Sequence, residues 1–135
     1  MRKRVLVVED ECLIRLWIAE CLVDDGFEVV VAEDGDQALD LIGQPGTFDL
    51  LITDICMPGR ADGNVVAMTA KQRYRGLPVI YVSGRPDSLK NKLASRDGFI
   101  AKPYTAAAVS TMALRLLDAA DDDVATMPPG VRSAA

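Results

Sequence analysis

The chain of 135 residues carries 20 acidic and 15 basic side chains, for a formal net charge of −5, with no histidine and three cysteines. That length suits one domain with a single buried core, and a composition half hydrophobic and 26% charged is that of an ordinary soluble globular protein rather than a disordered one. The acidic balance argues against sequence-independent nucleic-acid binding, which needs a basic surface to displace counterions; the one basic run, Arg2-Lys3-Arg4, reads as a solvated flank.

Val5–Val8 is a short β-branched run that reads as a first strand, and Glu9-Asp10-Glu11 follows it directly. Leu13–Val23 has a helical stripe of Ile14, Ile18, Cys21 and Leu22, and Asp24-Asp25-Gly26 turns the chain into a second strand, Glu28–Ala32. Gly35–Ile42 predicts a helix carrying Ala38, Leu39 and Ile42, closed by Gln44-Pro45-Gly46, and Leu50–Thr53 a third strand that ends at Asp54. Asn64–Arg75, with Val65, Met68 and Thr69, predicts a third helix, followed by Gly76-Leu77-Pro78 and a fourth strand, Pro78–Val82, ending at Ser83. A weaker helical pattern over Asp87–Ala94 leads through Arg96-Asp97-Gly98 to a fifth strand, Gly98–Ala101, then Lys102-Pro103 and a last helix over Thr105–Leu117. Trp17 is expected at the core or its edge, and Cys12 and Cys21 as helix-packing residues.

Five alternating units of strand and helix predict an α/β fold, a doubly wound five-stranded parallel sheet with five helices, occupying residues 1–118. Residues 119–135 show no hydrophobic period and are expected to form a disordered acidic, proline-containing tail with no output domain after it. The cysteines Cys12, Cys21 and Cys56 lack any zinc-ligand spacing and read as reduced thiols. No signal peptide and no membrane-length apolar run is present, so a cytoplasmic protein with no membrane partner is expected.

In a parallel sheet the C-terminal strand ends share one edge, where α/β folds build their sites. Glu9, Asp10 and Asp54, the Ser83 hydroxyl and Lys102 would then converge. Carboxylates gathered at one edge raise each other's pKa unless a cation neutralises them. Oxygen donors without histidine or a thiolate cluster suit Mg²⁺. Each feature also has an ordinary reading taken alone: acids favour the first turn of a helix, Ser83-Gly84 is a common turn pair, Lys102-Pro103 can open a helix, and Phe99 is most simply core. Their joint occurrence at successive strand ends favours the site.

At these residues the chain resembles the receiver domain of bacterial two-component response regulators, in Val5-Leu6-Val7-Val8-Glu9-Asp10-Glu11, Asp49-Leu50-Leu51-Ile52-Thr53-Asp54-Ile55-Cys56-Met57-Pro58-Gly59, Val79-Ile80-Tyr81-Val82-Ser83-Gly84 and Phe99-Ile100-Ala101-Lys102-Pro103-Tyr104. The resemblance implies a flavodoxin-like sheet of strand order 2-1-3-4-5. It implies Asp54 as the nucleophile that takes a phosphoryl group from a phosphohistidine, with Lys102 and Mg²⁺ stabilising the transferred charge. The metal ligands it implies are Asp10, Asp54 and the backbone carbonyl of Cys56, with Glu9 acting through water. Ser83 and Phe99 become the switch pair, and Cys56 and Arg85 the positions that tune phosphoryl lifetime.

The partners so implied are a histidine kinase or a histidine phosphotransfer protein, and a downstream protein target on the face of the fourth helix, fifth strand and fifth helix. Both a monomer and a phosphorylation-dependent dimer fit, and the chain is expected to act as a switch or relay, with no turnover of an external substrate. Two other readings stay open, a phosphorylation-independent interaction module and the receiver of a hybrid histidine kinase. A flavin or nucleotide carrier lacks the Gly-rich loop after the first strand. Two departures from the family pattern stand out. The loop Met57–Ala61 is about one residue longer than the common receiver form, which predicts a late start for the third helix, and Ser83 and Lys102 are only nineteen positions apart, about one helical turn short of that form, which predicts a short fourth helix. Arg85-Pro86 disfavours a helical residue at Arg85.

Overall fold

Each strand is apolar on both sides, so each can be buried only between two layers of helix, and that is how the chain folds. The computed structural model describes residues 2–125, with side chains described as far as Asp118. In chain order it contains β1 (Arg4–Val8), α1 (Cys12–Asp24), β2 (Glu28–Ala32), α2 (Gly35–Ile42), β3 (Leu50–Asp54), α3 (Gly63–Arg73), β4 (Val79–Ser83), a 3₁₀ turn (Pro86–Ser88), β5 (Gly98–Ala101) and α4 (Ala106–Ala125). The strands pair in parallel in the order β2-β1-β3-β4-β5, the order the family resemblance implied.

Side chains alternate between the faces of the sheet. Val5, Val7, Leu50 and Ile52 pack beneath α1 and α4 through Ile18, Leu22 and Val109. Leu6, Val8, Leu51 and Tyr81 pack beneath α2 and α3 through Ala38, Ile42, Val66 and Ala67. The central strand β3 is buried along its whole length. Asp34 caps α2 by accepting the Gln37 N–H at 2.8 Å, and Asp62 caps α3 by accepting the Val65 N–H at 3.0 Å. Helix α3 therefore starts at Gly63 despite the long loop before it. Gly63 must lack a side chain, because a Cβ there would overlap the backbone carbonyl of Asp54.

Several expectations are corrected. The stripe predicted for the third helix is out of phase: Val65 and Met68 are 44% and 54% exposed, while Val66, Ala67 and Ala70 are buried. Cys12 is exposed, as is Cys56, and Trp17 is 60% exposed beside Leu13 and Leu16 on the outer face of α1. The last helix runs past Leu117 to Ala125, because Asp118–Ala125 continues without a breaker. The rest of the predicted tail, 126–135, lies outside the described residues. No helix among the described residues is long and apolar enough to cross a membrane.

The largest difference concerns the fourth helix. Between β4 and β5 only the turn Pro86–Ser88 is helical, so four α-helices stand among the described residues where five were expected. Arg85 is extended, as a residue before proline prefers, and Leu93 is 42% exposed, so the segment has no apolar stripe to bury. Polar bonds hold this strap instead. Asp97, its side chain fully buried, accepts from Lys71 Nζ at 2.8 Å, from the Val79 N–H at 3.1 Å and from the Ala94 N–H at 2.9 Å. Asp97→Ala leaves a buried amide and an ammonium without their acceptor, and is expected to cost about 2–4 kcal/mol in urea unfolding. A loss below about 0.5 kcal/mol, the size of an ordinary surface change, would show that the strap does not depend on this carboxylate.

Candidate functional site

The parallel register delivers five polar groups from four strand ends. Glu9 and Asp10 follow β1, Asp54 ends β3, Ser83 ends β4 and Lys102 follows β5. The Ser83 carbonyl accepts the Lys102 N–H at 2.9 Å, which ties the last two together, and the peptide bond between Lys102 and Pro103 is cis. Lys102 Nζ donates to Asp54 Oδ2 at 2.8 Å and lies 3.8 Å from Glu9 Oε1. Carboxylate oxygens of Glu9, Asp10 and Asp54 lie within 4.8 Å of one another. Glu9 and Asp54 are 2% and 3% exposed, while Asp10 faces solvent.

Other predicted residues sit around this group. The Ser83 hydroxyl is buried, bonded to Arg85 and Ser88 in the turn after β4. Phe99 is half-buried and packs on the same core as Tyr81, its register partner on β4. The side chains of Cys56 and Arg85 are exposed. Gly84 brings the loop that carries Arg85 onto Lys102: a Cβ on Gly84 would lie 3.8 Å from the Lys102 Cβ.

The electrostatics are unbalanced. Burial, then the Asp54 charge, push Glu9 from 4.5 up to about 8, with Lys102 opposing. Burial pulls the Lys102 ammonium down, but its hydrogen bond and charge pairing with Asp54, helped by Glu9, outweigh that and leave it above its ordinary value. Burial, then the Glu9 charge, also raise the Tyr104 phenol. Glu9 Oε1 and the Tyr104 hydroxyl are the buried side-chain oxygens without a hydrogen-bond partner among the described residues. Three carboxylates against one ammonium, with an unpartnered buried carboxylate oxygen among them, fit a hard divalent cation with oxygen ligands.

The profile of the response regulator receiver domain matches residues 5–114. The chain belongs to that family. It is 37% identical over 107 residues to the sensor histidine kinase TmoS of Ectopseudomonas mendocina, a match covering 76% of this chain and 11% of the relative. It is 31% identical over 109 residues to the phosphate regulon transcriptional regulatory protein PhoB of Klebsiella pneumoniae, covering 78% of this chain and 47% of the relative. The chain thus spans about a tenth and about half of these two proteins. A response regulator receiver protein from Sinorhizobium medicae superposes with a TM-score of 0.80 at 25% identity, covering 87% of this chain and 96% of that one.

Three residues of this receiver escaped the sequence reading. Asn64, 6% exposed on the first turn of α3, donates to the Ser88 carbonyl at 3.0 Å and accepts the Lys90 N–H at 2.9 Å. Ser88 bonds Ser83, and Asp97 anchors the end of the strap. A polar residue two positions after the N-cap Asp62 gave a faint signal at Asn64; Ser88 fell within the weak helical pattern Asp87–Ala94, and Asp97 read as an ordinary turn former. The Arg15 guanidinium, from α1, holds the Glu9 carbonyl at 2.8 Å.

The raised Glu9 sets a pH dependence. The folded state keeps this proton up to about pH 8 while the unfolded chain releases it near 4.5, so the folded state binds more protons in between and stability falls as pH rises through that window. In metal-free buffer Glu9 is expected to contribute a slope of up to about 1.4 kcal/mol per pH unit. Glu9→Gln keeps the shape and removes the titration, so urea unfolding at several pH values should give a flatter profile. The wild-type slope persisting in Glu9→Gln would refute the assignment.

Proposed function

We propose that this receiver accepts a phosphoryl group onto Asp54 from a phosphohistidine carried by a histidine kinase or a histidine phosphotransfer protein. The observation that carries the reading is the buried Asp54 carboxylate at the end of the central strand, bonded by Lys102 at 2.8 Å and adjoined by Glu9 and Asp10. An Asp54 oxygen attacks phosphorus in line, the phosphorus–nitrogen bond to the donor imidazole breaks, and an acyl phosphate forms. The chain has no histidine of its own, so the donor comes from another polypeptide or domain.

Lys102 is placed to follow charge from the carboxylate onto the transferred oxygens, because its ammonium already spans Asp54 and Glu9. Asp10, Asp54 and the Cys56 backbone carbonyl would hold Mg²⁺, with Glu9 reaching it through water. When bound, the ion neutralises the carboxylates and withdraws charge from the phosphoryl oxygens. Burial of Asp54 limits water at the acyl phosphate. Arg85, on the loop that Gly84 brings against Lys102, is placed to shield that group, and the exposed Cys56 flanks it from the β3 side.

Phosphorylation then draws the Ser83 hydroxyl toward Asp54, and half-buried Phe99 repacks beside Tyr81. The readout is a protein contact on the face formed by the strap, β5 and α4, in a cytoplasmic two-component pathway, with either a downstream target or a further relay protein as the partner.

Acetyl phosphate with Mg²⁺ supplies a small-molecule donor. Intact mass should show a gain of one phosphoryl group, absent in Asp54→Asn, and Lys102→Ala should slow the gain by roughly 10²–10³-fold. A wild-type chain that gains nothing, or an Asp54→Asn chain that gains the same, would rule the reading out in favour of a phosphorylation-independent module. Arg85→Ala is expected to shorten the acyl-phosphate half-life severalfold, measured by the decay of that mass, and an unchanged half-life would dismiss the shielding role.

A further inference from the structure

The Ser83 hydroxyl, which must reach a phosphoryl group on Asp54, is already fully committed elsewhere. Its Oγ accepts the Arg85 N–H at 3.0 Å, lies 2.8 Å from Ser88 Oγ and 3.1 Å from the Arg85 carbonyl oxygen. Ser88 Oγ lies 2.5 Å from that same carbonyl. Each serine has one proton to donate, and hydroxyl-to-oxygen bonds run about 2.5–3.0 Å. The short contact therefore takes the Ser88 proton to the Arg85 carbonyl, and the Ser83 proton goes to Ser88. The bonds close a ring, from the Arg85 N–H through Ser83 and Ser88 back to the Arg85 carbonyl.

Ser88 is fixed from behind. Its carbonyl accepts Asn64 Nδ2 at 3.0 Å, Asn64 Oδ1 accepts the Lys90 N–H at 2.9 Å, and Asn91 Nδ2 donates to the Asn64 carbonyl at 3.0 Å. The strap after β4 is thereby pinned to the first turn of α3, and this places the Ser88 hydroxyl against Ser83.

We propose that Ser88 is a positioning residue that restrains the Ser83 hydroxyl in the unphosphorylated receiver, so that phosphorylation of Asp54 must break the bond between the two serines. The inference rests on the reading of Asp54 as phosphoryl acceptor. Ser83 cannot donate to a phosphoryl oxygen and to Ser88 at once, so one neutral hydrogen bond opposes the phosphorylated arrangement. Without the Ser88 hydroxyl, Ser83 keeps only the longer contact to the Arg85 carbonyl as an outlet for its proton. The equilibrium then moves toward the phosphorylated arrangement by roughly two- to tenfold, the worth of one such bond.

The test uses the full chain with Mg²⁺, comparing wild type, Ser88→Ala, Ser88→Thr, Ser83→Ala and the double variant Ser83→Ala/Ser88→Ala. Two quantities are measured: the rate of phosphoryl gain from acetyl phosphate, and the affinity for beryllofluoride, which mimics the phosphoryl group without turnover. Ser88→Ala is expected to bind beryllofluoride roughly two- to tenfold more tightly and to phosphorylate faster. Ser88→Thr, which keeps the hydroxyl, should track wild type. In the Ser83→Ala background, removing Ser88 should change neither quantity, because its action passes through Ser83. Equal affinities for wild type and Ser88→Ala, or a Ser88 effect that persists undiminished without Ser83, would overturn the inference while leaving the acceptor reading intact. A wild-type chain that neither gains a phosphoryl group nor binds beryllofluoride overturns the acceptor reading and this inference together.

Discussion

Lys102 meets Asp54 at 2.8 Å only because β3 and β5, distant in sequence, are set at a fixed height on either side of β4. Strand β5 pairs with β4 so that Ala101 lies opposite Ser83, and β4 pairs with β3 so that Val82 lies opposite Asp54. A slip of one residue in either pairing would turn each side chain to the other face of the sheet. The buried runs Ile52-Thr53-Asp54 and Tyr81-Val82-Ser83 fix the register by what they pack against, and the ion pair is a consequence. The hydrophobic core therefore specifies the position of a charge it does not touch.

That charge is insufficient for its surroundings. One ammonium serves Asp54 closely and Glu9 at 3.8 Å, and burial together with the Asp54 charge outweighs it at Glu9, which holds its proton up to about pH 8. A site that is electrostatically complete in itself would have nothing to gain from a cation or from a phosphoryl group with its escorting ion. This one is short of positive charge, and its oxygen donors are already gathered, so little reorganisation is needed when charge arrives. The Lys102 ammonium stays charged despite its burial because both acids face it.

The fold was largely legible because its signals are local and repeated. Apolar β-branched runs gave all five strands to within a residue at most ends, and the turn formers between helices and strands marked the returns. The site residues were legible because they stand immediately after those runs, at Glu9, Asp10, Asp54, Ser83 and Lys102. What could be read only in part was the segment between β4 and β5, whose shortness and extended Arg85 were legible but not its conformation. Its weak helical period over Asp87–Ala94 lost to three long-range polar anchors, Asn64, Asp97 and the Tyr81 hydroxyl, which bonds Asn91 at 3.3 Å. Such partners lie ten or more positions away in sequence, where no periodicity records them. The phase error at Val65 and Met68 has the same origin: with a strap in place of a packed helix, the outer side of α3 stays in solvent.

Replacing a helix by a strap changes how a signal could leave the site. A helix packed through an apolar stripe resists displacement by many weak contacts spread over its length. The strap is held by a few directional bonds, each of which is either made or broken, so it has discrete arrangements. Ser83 and Lys102 share a backbone hydrogen bond at 2.9 Å, and Phe99 lies three residues before Lys102, on the strand that Lys102 follows. A change in the Ser83 hydroxyl thus bears at once on the turn Pro86–Ser88, on β5 and on Phe99, which lies beside Tyr81 on the same core. A ligand moves a two-state protein only by its difference in affinity for the two states. On the function proposed, that difference is concentrated in one hydroxyl proton, which can be directed at the strap or at the phosphoryl group but not at both.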